Sequence, residues 1–287
     1  QTSLLFDIWK EEFAPNADFT HQGQIELVQF HPSFSYEDFI EGLRPILDKN
    51  DQAQLTLQNG IFKEFCLKAG KWEVEVFNLH LKKEWDQIKI IDLVPYKEQL
   101  SGLHWDYIFE IEDQNKLVSD AIPPFFFIID EINRAELSRV FGELMYCLEY
   151  RGVRGCVKTQ YANLNTNKTG MLELGQAYQF FIPTNIYLIG TMNTIDRSVE
   201  SFDFALRRRF SWQEVSPDIS LLKFYLSEHC AKWIELATSL EKLNENIEEQ
   251  ALLGHEYRIG HAYLMNLKYP KSLSLTEVKA SIWEDSI

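Results

Sequence analysis

An acid pair follows directly on an apolar run in "PFFFIIDEINRA", residues 124 to 135. Asp130 closes the run and Glu131 comes next. A second apolar run, "NIYLIGTMN" (185–193), ends in Asn193, and three arginines stand at 207–209. An Asp at the end of a buried strand can hold Mg²⁺, usually through water, and a Glu beside it can polarise an attacking water. An Asn on a neighbouring strand can orient that water or touch a terminal phosphate. Arginines can stabilise the charge that develops during transfer. These residue types in this order suit metal-assisted phosphoryl transfer.

Each feature also has a plainer reading. An Asp-Glu pair can simply mark a strand end, and an Asn can belong to a turn. Three arginines can complement the dipole of a helix terminus. Together, in order and at strand ends, they favour a nucleotidase. A metal-dependent nuclease built on Asp130 and Glu131 fits less well, because no further Asp/Glu/Lys set accompanies them and the arginines have no role.

The elements that must position these groups read as an α/β fold. "FFFIID" is apolar on both faces, as in a central strand of a parallel sheet. "IELVQF" (25–30) and "NIYLIGTMN" read as further buried strands. Ligands in such sheets bind beyond the carboxyl ends of the strands. Ser35 can cap a helix whose first turn carries Glu37 and Asp38, with Pro45 as its stop. "GIFKEFCLKAG" (60–70) reads as a helix, while "KWEVEVFNL" (71–79) and "DYIFEIED" (106–113) alternate like strands. "RAELSRVFGELMYCLEYRG" (134–152) has the stripe of one amphipathic helix: Leu137, Val140, Phe141, Leu144 and Leu148. Residues 153–182 suggest a loop or hairpin with "NLNTNKTG" at its tip, "SVESFDFALRRRF" (198–210) a helix, and "FSWQEV" (210–215) a last strand. The expected organisation is a core over 1–215 with an inserted segment at about 46–120, then a partial helical lid over 216–287.

Composition narrows the function. The formal net charge of −15 argues against a broad nucleic-acid face, since phosphate contact needs clustered Lys and Arg. The four cysteines, at 66, 147, 156 and 230, form no CxxC pair, and His255 and His261 lack a partner at ligand spacing. No signal peptide and no apolar run of transmembrane length is evident, so a cytoplasmic protein without a membrane partner is expected.

"IIDEINRAELSRVFGELMYCLEYRG" and "LIGTMNTIDRSVESFDFALRRRFSW" resemble the McrB-type branch of the AAA+ ATPases and GTPases. "VQFHPSFSYEDFIEGLRP" (28–45) and "YRIGHAYLM" (257–265) resemble further blocks of it, and "MNTIDRS" (192–198) matches its signature segment. The resemblance implies a P-loop NTPase fold: a parallel sheet with helices on both faces, then a small helical lid. It implies Asp130 as the Mg²⁺ ligand and Glu131 as the catalytic carboxylate. Asn193 takes the sensor position, Asp196 lies in the signature loop, and Arg208 and Arg209 act at the subunit interface. Gly260 and His261 match a lid-side motif near the nucleotide.

The resemblance further implies a hexameric ring that hydrolyses GTP, or alternatively ATP, with Mg²⁺. Hydrolysis would drive DNA translocation or a partner nuclease in a restriction or defence system, with DNA engaged through the complex. The alternative is a non-hydrolysing subunit that lends arginine fingers to active neighbours. No GxxxxGK[ST] occurs; "KAGKW" (68–72) puts Trp72 where Ser or Thr should meet Mg²⁺. The chain therefore reads as a piece beginning after the phosphate loop, with the sheet incomplete at its N-terminus. Without the N–H cradle and its Lys, the 287 residues alone are expected to be inactive although the parent protein is an enzyme.

Overall fold

The computed structural model describes residues 24–47, 51–101, 103–193, 207–249, 254–265 and 272–285. Asp196 and most of the helix expected over 198–210 lie outside the described residues.

Strand β1 (Ile25–Gln29) is followed by a one-turn helix α1 (Tyr36–Phe39). Ser35 starts α1 as expected, its N–H and Oγ both donating to Asp38 Oδ2 (3.2 and 2.9 Å). The expected run to Pro45 is not helical, however. Strands β2 (Glu41–Leu47) and β3 (Ala53–Asn59) form an antiparallel pair, with Pro45 opposite Leu55. A two-stranded ribbon has edges that tolerate a missing N–H, so proline fits there.

Helices α2 (Ile61–Ala69) and α3 (Lys71–Asn78) come next, then α4 (Leu103–Glu110). The two stretches that alternate like strands are thus helical. The physical reason is that an alternating pattern i, i+2, i+4 already contains the helical pair i, i+4. In α3 that pair is Trp72 and Val76, both buried. Together with Ile88, Ile90, Leu93, Trp105 and Ile108 they form a satellite core under this segment. Glu73, on the buried side of α3, accepts from Thr184 N (2.7 Å), Thr184 Oγ1 (2.9 Å) and Val153 N (3.1 Å). Burial raises its carboxyl pKa, and these three bonds pull it back.

Strand β4 (Phe125–Asp130) enters after Pro123 and Pro124 and is buried along its centre. Helices α5 (Leu137–Phe141) and α6 (Leu144–Glu149) follow. They are two helices where one was expected. Gly142 separates them at φ +48°, a backbone that side-chain-bearing residues adopt only with strain. The apolar stripe survives the break: Leu137, Val140, Phe141 and Leu144 are all buried. Beyond them, β5 (Leu172–Leu174) pairs with β6 (Ala177–Gln179). The turn of this hairpin is at Gly175 (φ +69°), not at "NLNTNKTG".

Strand β7 (Ile186–Gly190) completes a parallel sheet of order β1-β4-β7. β1 and β7 are less buried than their apolar runs suggest, with Leu27 53% and Tyr187 56% exposed. Among the described residues only β4 has a neighbour on both sides. Phe127 and Ile129 of β4 face the main core. There Phe39, Phe62 and Phe65 pack on Phe127 with ring centroids 5.9, 4.8 and 5.2 Å away.

A buried ion pair ties the β2–β3 ribbon to the segment 159–165. Lys63 of α2 donates to Glu41 and to Asn165 Oδ1 (2.7 Å), and Asn165 Nδ2 donates to Glu41 Oε2 (2.9 Å). Burial opposes the Glu41 carboxylate, but hydrogen bonds from Lys63, Thr159 and Asn165 outweigh it and hold its pKa below the ordinary value. A carboxyl lowered on folding stabilises the protein above the usual carboxylate range, and the effect is lost as pH falls through the folded pKa. Lys63→Met is expected to destabilise the fold by about 3–5 kcal/mol, because it strands a buried carboxylate. Urea unfolding at neutral pH measures this, and a loss below ~1 kcal/mol would show that the pair is not needed.

The described chain divides into two compact units, with the change at Phe210–Ser211. The second unit is helical: α7 (Ile219–Cys230), α8 (Glu235–Glu249) and α9 (Leu275–Asp285). Asp218 caps α7 by accepting from Leu221 N (2.9 Å). Leu222, Leu226, Leu236, Ala237, Leu240 and Val278 form its core. Residues 211–217 carry no regular structure, so "FSWQEV" is not a strand.

Candidate functional site

The three parallel strands end at one rim, where residues at or just past their ends bond to Asp130. Asp130 closes β4 in register with Gln29 of β1, and Ile129 lies beside Gly190 of β7. The residues just past β7 therefore run alongside the acid pair. Thr191 Oγ1 donates to Asp130 Oδ1 (2.6 Å), and Gln29 Nε2 donates to Asp130 Oδ2 (3.2 Å).

Glu131 leaves the strand in the left-handed region (φ +54°, ψ +47°), which costs a non-glycine residue about 1–3 kcal/mol. Such strain, at a polar rim, is a common mark of function. Its N–H donates to Thr191 Oγ1 (3.3 Å), and its Oε2 lies 3.4 Å from Arg134 Nε. Asn133 Nδ2 donates to the carbonyl of Asn193 (3.2 Å). The rim thus brings Asp130, Glu131 and Asn193 to one edge of one sheet.

The other expected site residues sit elsewhere. Arg209 is 13% exposed and pairs with Glu149 of α6 (3.2 Å), whereas Arg208 beside it is exposed. In the second unit, His261 Nδ1 accepts from the N–H of Asp218 (2.9 Å). Gly260 stands in open space, with no atom within 4 Å of where a Cβ would lie. Sequence reasoning missed Gln29, Thr191 and Arg134. Gln29 and Thr191 carry a faint signal: each is a polar residue at the end of an apolar strand.

The donor set fits a hard divalent cation. Asp130 offers a carboxylate whose hydrogen-bond partners among the described residues, Thr191 and Gln29, are both neutral. Among the described residues no three His, Cys, Asp or Glu cluster as a metal site. A cation here would be held by one carboxylate, with water and phosphate completing the shell, which is how Mg²⁺ is usually bound beside nucleotides.

A mixed α/β unit whose central parallel strand ends in an acid pair, followed by a helical unit, has the layout of an AAA+ module with its lid. The comparisons agree: residues 103–210 match the AAA domain of the dynein-related subfamily, and 235–287 match the McrB alpha-helical lid domain. The chain belongs to the McrB-type AAA+ family. It is 33% identical over 248 residues to the type IV methyl-directed restriction enzyme EcoKMcrB subunit of Escherichia coli (strain K12), covering 84% of this chain. It is 25% identical over 194 residues, 65% of this chain, to the type II restriction enzyme BsuMI component YdiS of Bacillus subtilis (strain 168). The chain spans 40% and 46% of the length of these two relatives. Among the described residues, no helix is long and apolar enough to cross a membrane.

Proposed function

We propose that this chain is part of the hydrolytic module of a restriction-system subunit, and that the parent protein cleaves GTP, with ATP as the alternative, to drive a partner nuclease or the movement of DNA. The observation that carries this reading is the rim, where Asp130, Glu131 and Asn193 converge at the carboxyl end of a parallel sheet. Asp130 would hold Mg²⁺, whose charge neutralises the phosphates and the developing leaving group. Glu131 accepts a proton from, or polarises, the attacking water. Asn193 orients that water. Arg208, exposed on the first unit, reaches a neighbouring subunit's nucleotide in a ring, while Arg209 is braced on Glu149. The net charge of −15 supports target recognition by another domain or subunit.

The protein that carries this chain is expected to release phosphate from GTP in a Mg²⁺-dependent manner. Chelation by EDTA stops the reaction and added Mg²⁺ restores it. Absence of hydrolysis of both GTP and ATP, with the partner subunit present, would overturn the reading. It would favour a subunit that only lends Arg208 to active neighbours.

A further inference from the structure

One residue just past β7 bonds to the acid pair and to the residue on either side of it. The Thr191 N–H donates to Ile129 O (2.9 Å), and its carbonyl accepts from Ile132 N (2.9 Å). Its hydroxyl donates to Asp130 Oδ1 (2.6 Å) and accepts from the Glu131 N–H (3.3 Å). Four consecutive residues, 129 to 132, are thus bonded to one residue of the adjacent chain segment.

The two hydroxyl bonds reinforce one another. A hydroxyl has one proton to give and lone pairs to receive. With the proton spent on Asp130, Oγ1 faces Glu131 as an acceptor only, which is what an N–H requires. The bond to Asp130 has a charged acceptor, the stronger kind. The bond to Glu131 lands on one of only three non-glycine residues with positive φ among those described. The hydroxyl therefore meets both the carboxylate that would face a metal and the strained backbone that turns Glu131 out of the strand.

We propose that Thr191 is the positioning residue of this site: its hydroxyl fixes the Asp130 carboxylate and the left-handed turn at Glu131 as one unit. The proposal rests on the reading of Asp130 as the cation ligand. Thr191 acts through the acid pair and need not touch the nucleotide.

The test uses the full protein. Thr191→Val removes the hydroxyl and keeps the branched shape; Thr191→Ser keeps the hydroxyl. Mn²⁺ is titrated in the presence of a non-hydrolysable GTP analogue, with its ATP counterpart in parallel, and followed by electron paramagnetic resonance. Thr191→Val should weaken Mn²⁺ binding about tenfold or more, the usual effect of losing the group that orients a metal ligand. The Mg²⁺ concentration for half-maximal hydrolysis should rise in step, and Thr191→Ser should return both close to wild type. A merely structural role would lower thermal stability without moving the metal requirement. If Thr191→Val binds Mn²⁺ like wild type while Asp130→Asn does not, Thr191 is a bystander and the proposal fails. Equal weakness of Thr191→Ser and Thr191→Val also overturns it, because the hydroxyl is then not the acting group. If Asp130→Asn itself retains Mn²⁺, the underlying reading of Asp130 falls first. Should Thr191→Val not fold, Thr191→Ala supports the same comparison.

Discussion

Glu131→Gln is expected to leave nucleotide bound and to stop its turnover. The amide has the shape of the carboxylate but accepts no proton, so the attacking water loses its polarising partner. General-base groups contribute about 10²–10⁴-fold, and kcat should fall by that much. Binding should survive, because Asp130 keeps its hydrogen bonds to Thr191 and Gln29. Folding should survive as well. The substitution gives up the ion pair to Arg134, at 3.4 Å and with side chains 44% and 23% exposed, a type of pair worth about 0–1 kcal/mol. The left-handed turn is held by backbone and Thr191 bonds that a Gln at 131 leaves in place. Phosphate release and fluorescent-nucleotide titration on the same preparation separate the two effects. A kcat within a few-fold of wild type would remove Glu131 from the chemistry.

The rim is the part of the molecule most legible in the sequence, and there is a physical reason. A central parallel strand is apolar on both faces, so "FFFIID" announces itself and its first acids fall at its carboxyl end. The same logic places Asn193 beside them. What joins these groups is less visible. Thr191 is one polar residue in "GTMN", and its importance comes from its register against β4, which pairing alone defines. Gln29 is likewise set by its place opposite Asp130.

Away from the rim, local patterns competed and tertiary packing decided. Trp72 and Val76 satisfy a strand and a helix equally; the bonds from Thr184 and Val153 to Glu73 place a charged residue inside, which a helix allows and alternation does not suggest. Pro45 is a helix stop in one reading and an edge-strand residue in the structure. The Glu41–Lys63–Asn165 network joins Asn165 to residues more than a hundred positions earlier, and nothing in the types of those three residues reveals the pairing.

Arg208→Ala is expected to depress hydrolysis by about 10³–10⁵-fold in the assembled protein, the range that arginine fingers supply, and to spare nucleotide binding by the separate subunit. Arg209 differs, because its guanidinium is largely covered and paired with Glu149, while Arg208 is exposed beside it. Arg209→Ala should therefore act by loosening the segment that presents Arg208, and its loss should be smaller. Mixing tests the direction of action. In a ring of head-to-tail contacts, each site takes its acid from one subunit and its arginine from the next. Glu131→Gln and Arg208→Ala subunits are each inactive alone. Mixed at random in equal amounts, roughly one contact in four joins an intact Glu131 to an intact Arg208, and turnover should reappear at about that fraction. If both groups served the same subunit's nucleotide, no mixture could restore activity. Complementation by mixing, at constant total protein, therefore separates action across the interface from action within one chain. It does so without a structure of the assembly, because only the trans arrangement lets two dead subunits build one live site.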